Sequence, residues 1–122
     1  MGFGHKNLVA WKNTEELSKL VYEKLLPRIP KINNKLIDQI DRANTSVGAN
    51  FIEGYYSGST KEFIRFLSYS RRSLAEIEFW VNHCRMKRFI SEQFHGNLID
   101  LIIRTGFLFD RLVMALKRKV QE

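Results

Sequence analysis

Few residues of this chain are spaced for chemistry, and those that are stop short of a complete site. Glu92 and His95 stand three apart, which on a helix places a carboxylate and an imidazole on one face, as in half of a di-iron site. Such a site needs a second Glu-x-x-His and a glutamate from each of two further helices. No second copy exists. Glu92 and Gln93 therefore read as favourable first-turn residues of a helix, with His95 on its surface. His83 and Cys84 are adjacent, hence about 100° apart around a helix axis, and cannot serve as base and nucleophile on one face. Cys84 is the single cysteine. It can form no internal disulfide, offers no zinc-type spacing and is expected in the core. Gly54 and Gly58 flank a helix connection with no Gly-Lys-Ser/Thr after them, so they are not a phosphate loop. The expectation is a protein with no catalytic residue, no metal site and no cofactor.

Charge points elsewhere. Twenty Lys and Arg against 13 Asp and Glu give a net charge of +7 and a pI near 9.8, and a basic surface gathers phosphate by releasing counterions. Lys61, Arg65 and Arg72 are spaced by four and seven, which aligns them along one helix face as a candidate phosphate track. Tyr55, Tyr56 and Tyr69 could add stacking surface for unpaired bases. Arg85, Lys87 and Arg88 form a second basic group, which an antiparallel topology would bring near Arg28, Lys31 and Lys35. The opposite end would gather Lys117, Arg118 and Lys119 with Lys6 and Lys12. A plainer reading stands beside each: Arg72 and Glu76 could pair at i,i+4, and cations at helix C-termini complement the dipole without any ligand.

Four helices are needed to hold these residues. Asn13 with Glu16 has the form of a capping box. It predicts a first helix starting there, carrying Leu17, Leu20, Val21 and Leu25 to a stop at Pro27 and Pro30. The segment before it, with Leu8, Val9 and Trp11, reads either as a helix opening or as an apolar lead-in. A second helix runs from Asn33 or Asn34 to about Gly54, with Leu36, Ile40, Ala43, Val47 and Phe51 on its apolar face. Beside that face lies a polar stripe of Arg42, Ser46, Asn50 and Glu53, either bonded across helices or forming a binding notch. Gly48 interrupts the helix interior, which predicts a bend or a close approach of another backbone. Ser59 and Glu62 form another capping box, so a third helix starts after Ser59. Its buried face is Phe63, Phe66, Leu67, Ser70, Leu74, Ile77, Val81 and Cys84. A fourth helix opens after Ser91 and reaches about Lys119. The pattern is all-α, an up-down-up-down four-helix bundle spanning residues 1–122 as one domain.

Two of these helices carry more apolar surface than a monomer needs. The fourth has Ile103, Phe107 and Met114 nearly opposite its core face, with Ile99 at the margin. The first has Trp11, Tyr22 and Leu26 away from Leu17 and Val21. A bundle helix needs one apolar stripe, and the commonest cover for a second is another copy of the chain, so a homo-oligomer is expected. No apolar run approaches the ~20 residues of a membrane span. The N-terminus has no secretory h-region, and Lys6 stands where a myristoylation site wants Ser or Thr. A cytoplasmic, membrane-free protein is expected.

The central stretch resembles the bacterial four-helix bundle family that includes proteins encoded by intervening sequences in large-subunit ribosomal RNA genes. The residues that carry the likeness are Gln39-Ile40, Arg42-Ala43, Ser46-Val47, Ala49-Asn50 and Glu53-Gly54-Tyr55. They are followed by Gly58-Ser59, Lys61-Glu62-Phe63-Ile64-Arg65-Phe66-Leu67 and Ser73-Leu74-Ala75-Glu76. Trp11 looks like the family's usual tryptophan. Gly48 departs from the pattern, which often has proline there, and Asn44 and Thr45 stand where small apolar residues are usual. The resemblance implies a bundle that assembles as a ring, a pentamer, and a role in binding. Relatives include the accessory protein of diversity-generating retroelements, which works with its reverse transcriptase and nucleic acid. The expected ligand is RNA or DNA, bound with little sequence specificity. The alternative is an adaptor for a nucleic-acid-processing protein such as a reverse transcriptase. Asn50, Glu53, Gly54, Ser59 and Glu62 are expected to fix the geometry between the second and third helices.

Overall fold

The computed structural model describes residues 4–5 and 8–121, and four α-helices account for most of them: α1 Val9–Leu20, α2 Asn34–Tyr55, α3 Thr60–Met86 and α4 Glu92–Gln121. Among the described residues there is no strand. Each helix packs on its neighbours, α1 on α2 and α4, and α3 on α2 and α4, so α2 and α4 are diagonal in the bundle.

α1 starts five residues earlier than the Asn13–Glu16 pattern predicts, with Leu8 rather than Asn13 at its N-cap, in extended conformation. Apolar contact overrides the capping signal, because Leu8 and Trp11 both pack against the core and draw the preceding turn into the helix. Past Leu20 the chain continues as a π-helical turn, Val21–Leu25, and a 3₁₀ turn, Leu26–Arg28. Pro27 explains the change. It cannot donate to the Glu23 carbonyl and its ring crowds that carbonyl, so the turn before it opens and the Leu26 N–H reaches Val21 instead.

The other boundaries follow the sequence signals. Ser59 Oγ accepts the Glu62 N–H at 3.2 Å, and Ser91 Oγ accepts the Phe94 N–H at 3.1 Å. Only half of the Ser59–Glu62 box forms, since the Ser59 N–H goes to Ser57 Oγ and the Glu62 carboxylate turns to Arg65. Between α2 and α3, Gly58 takes a left-handed φ of +77°, which glycine adopts without steric cost. Ser57 Oγ caps the end of α2 by donating to the Gly54 carbonyl at 2.7 Å.

The core converges on Phe51, whose ring is wholly buried. It meets Trp11 of α1 at 5.4 Å, Phe63 of α3 at 5.6 Å and Phe109 of α4 at 5.8 Å. Burying one such ring is worth about 1.5–3 kcal/mol, and here it couples all four helices. Leu67, Leu74, Ile77, Val81 and Cys84 of α3 are fully buried as their spacing predicts, while Phe66 is only half-buried.

Polar atoms inside the bundle are satisfied, with no buried side-chain N or O left unbonded among the described residues. Buried Asn44 donates to the Ser18 carbonyl at 3.2 Å and ties α2 to α1. Ser70 Oγ donates to the Val47 carbonyl at 2.7 Å and ties α3 to α2. Thr14 and Thr105 return their hydroxyls to the carbonyls of Ala10 and Leu101 one turn back.

Candidate nucleic-acid interface

The outer face of α3 carries the predicted basic stripe, and Lys61, Arg65 and Arg72 are all exposed there. Aromatic rings lie among them. Arg65 stands over the Phe66 ring at 4.8 Å and the Tyr69 ring at 5.6 Å, and Arg72 also approaches the Tyr69 ring, at 5.7 Å. Phe66 and Tyr69 meet edge to face at 5.7 Å. Guanidinium planes interleaved with rings are the arrangement that stacks on unpaired bases while holding phosphate.

Arg65 is partly occupied by the chain itself. It donates to Glu62 through Nε at 3.2 Å and Nη2 at 2.6 Å, and to Tyr69 Oη through Nη1 at 2.9 Å. These bonds, the one from Glu62 first, raise the guanidinium pKa. In return Arg65 holds the Glu62 carboxyl below its ordinary value. The proposed Arg72–Glu76 pair does not form. Glu76 accepts the Trp80 indole N–H at 3.2 Å instead, which leaves Arg72 against Tyr69.

Tyr55 and Tyr56, predicted as stacking surface, divide. Tyr55 is half-buried and packs on the core, 5.7 Å from Phe63. Tyr56 is exposed, and its hydroxyl bonds His5 Nδ1 at 2.9 Å. His5 itself stacks edge-on against Trp11 at 4.7 Å. That aromatic corner holds His5 to the α2 terminus, a contact with no signal in the sequence spacing.

At the end of the bundle where α3 finishes, Arg85 donates to the Ile90 carbonyl at 3.0 Å and so braces the turn. Lys87 and Arg88 are exposed, Arg88 in the left-handed region at φ +62°. Arg28 lies 4.1 Å over the Phe94 ring, which places the end of the α1 extension beside the start of α4. At the other end Lys119 lines a depression with Leu8, Tyr55 and Gly58; Lys6 lies outside the described residues.

The polar stripe on α2 is divided between two environments. Asn50 donates to the Ser46 carbonyl and to Ser46 Oγ, both at 2.9 Å, and Ser46 Oγ also accepts from Ser73 of α3 at 2.9 Å. These form a cross-helix relay. Arg42 and Glu53 point outward and take no part in it. Gly54 is buried against Phe63 and Phe66.

Of the residues expected at an oligomer interface, Trp11, Leu26 and Ile99 are half-buried against the chain's own core. Tyr22, Ile103, Phe107 and Met114 are exposed. The residues that first suggested chemistry are taken up structurally. His95 Nε2 bonds Asn82 Oδ1 at 2.7 Å, and Cys84 is buried, its thiol pushed up to about 11 by burial. No three metal-binding side chains come together among the described residues. No described helix is long and apolar enough to cross a membrane.

A crystallised protein of unknown function from the S23 ribosomal protein family of Bacteroides thetaiotaomicron shares this fold. It superposes with a TM-score of 0.76 at 20% identity, over 86% of this chain and 98% of its own. No curated protein matches the sequence at a significant level. Residues 6–109 match the 23S rRNA-intervening sequence protein family, and a match over that much of the chain, on a four-helix fold, means that the protein belongs to that family.

Proposed function

We propose that this protein is a non-catalytic, homo-oligomeric helical bundle, a pentameric ring in the form the family resemblance implies. It binds RNA or DNA through backbone phosphates with little sequence specificity. The observation that carries the reading is the α3 face, where Arg65 and Arg72 both approach the Tyr69 ring and Lys61 extends the same side. The net charge of +7 supports it. Repetition of the face in every subunit would multiply a weak patch through effective concentration. The family's name refers to 23S rRNA, which makes RNA the first ligand to test.

The test is anisotropy titration of a labelled single-stranded RNA, and of a duplex of the same length, across a salt series. Affinity should fall steeply with salt and be higher for the single strand, where bases are free to stack. Lys61→Ala/Arg65→Ala/Arg72→Ala should flatten the slope while the circular dichroism spectrum stays helical. An unchanged slope would remove the α3 face from the interface.

Exposed Ile103, Phe107 and Met114 favour one other reading, an adaptor that docks a nucleic-acid-processing protein. Co-purification from the native host that survives nuclease treatment would support the adaptor and count against direct nucleic-acid binding.

A further inference from the structure

Among the described residues, two surfaces of the monomer lack a partner, and they are complementary. The first is an open groove of about 1010 Å³ along the outer side of α2. Trp11 and Phe66 bound it, and Ser18, Gly48 and Ala49 make a floor of small residues. A Cβ on Gly48 would meet only the Trp11 ring at 3.6 Å and Thr14 Cγ2 at 4.0 Å, both ordinary contacts. The chain's own packing therefore does not require glycine in mid-helix, where it is the least favourable residue after proline.

The second surface is convex. Ile103, Phe107 and Met114 are 60%, 57% and 57% exposed and share one side of α4, spaced by four and seven residues. A stripe of that spacing runs about 16 Å along the helix axis. Because α2 and α4 are diagonal in the bundle, a chain cannot lay this stripe in its own groove.

Charge matches the two. Among the described residues, Glu15 and Glu53 line the groove without a salt bridge, and Lys19 is the one cation in its lining. Arg104 and Arg111 flank the stripe. Arg104 is 3.7 Å from exposed Asp100, while Arg111 lies over Phe107 at 5.7 Å and makes no salt bridge among the described residues. Neighbouring Asp110 is tied to Arg71 at 3.2 Å.

We infer that the α4 stripe of one copy seats in the α1–α2 groove of the next, with Phe107 over Gly48 and Arg104 and Arg111 facing Glu15 and Glu53. Two different patches meeting in this way form a head-to-tail contact, which yields a closed ring when the rotation permits and a filament otherwise. The inference rests on the homo-oligomer proposed above and names the surfaces that build it. Gly48 then has a use, since its missing side chain lets an aromatic ring from the neighbour reach the α2 backbone.

Native mass spectrometry of the full chain tests the pairing. Arg104→Glu/Arg111→Glu should abolish the stripe and Glu15→Arg/Glu53→Arg the groove, each raising the dissociation constant about a hundredfold or more while circular dichroism stays helical. Mixing the two variants should restore association as equimolar, strictly alternating assemblies, because the native stripe fits the native groove, the reversed stripe fits the reversed groove, and only unlike chains meet in these ways. The chain carrying all four reversals should reassemble to the wild-type subunit number. A wild-type oligomer indifferent to both pairs of substitutions would overturn the pairing while leaving the oligomer intact. So would either pair alone still giving dimers, as a self-complementary contact would. A wild-type chain that is monomeric throughout would overturn the oligomer itself.

Discussion

A Cβ built on Gly54 would lie 2.7 Å from the Cβ of Phe66, closer than two side chains can approach, and 3.2 Å from the Phe63 backbone. α2 and α3 therefore meet at glycine, and the short connection between them depends on that approach. Gly54→Ala should destabilise the fold by roughly 1–3 kcal/mol through overpacking, even though alanine is the better helix former. Gly106 gives the control. There the nearest atoms belong to the Arg71 guanidinium, at 2.9 Å, and that flexible group can move away. Loss of its exposed pair with Asp110 costs about 1 kcal/mol or less, offset by a helix-propensity gain of about 1 kcal/mol. Urea denaturation should place Gly106→Ala near wild type and Gly54→Ala clearly below it.

Gly48→Ala should move stability and assembly in opposite directions. In a chain kept monomeric by Phe107→Glu, alanine should stabilise by about 0.5–1 kcal/mol, because the site has room and the unfolded chain loses freedom. In the otherwise wild-type chain the same substitution should weaken self-association. A gain in both would mean that nothing approaches this glycine from outside.

Glu62 restrains the basic stripe. Its carboxyl is held below the ordinary range by Arg65, so it stays ionised at neutral pH and competes with phosphate for that guanidinium. Glu62→Gln should raise affinity for single-stranded RNA and steepen the logarithmic salt dependence by up to about 0.7, the increment for one added phosphate contact on a single strand. Loss of a first-turn carboxylate should also weaken the helix slightly, which thermal melts will show separately.

Cys84 should resist alkylation in the folded protein and react once unfolded, since the thiolate is the nucleophile and burial holds the thiol pKa near 11. The same shift sets a sign for pH dependence. The folded chain retains the proton where the unfolded chain, at its ordinary value near 9.0, has lost it, so stability is full below pH 9 and falls as pH rises toward 11. Cys84→Ala should remove that part of the alkaline loss. An equal loss in both chains would assign it to other groups.

Helical periodicity made much of this protein legible in one dimension. Phe51, Leu67, Ile77 and Phe109 recur at three- and four-residue spacing on faces that are indeed buried, and Ser59 and Ser91 cap the helices they precede. Such signals are local, because a helix face and its cap are set by residues within one turn. The failures are also physical. The Asn13–Glu16 pattern lost to apolar contacts of Leu8 and Trp11 with distant parts of the chain. Glu62 and Glu76 each chose a partner, Arg65 and Trp80, over the one that spacing suggested, because several partners lie within reach on a helix surface and rotamers decide among them. What the order of residues specified was four amphipathic helices, their caps and an excess of positive charge. Only the folded arrangement decided which apolar residues the monomer consumes, placing Trp11 and Ile99 against the core and leaving Phe107 outside. The groove over Gly48 exists because α1 and α2 are held side by side by contacts far apart in the chain.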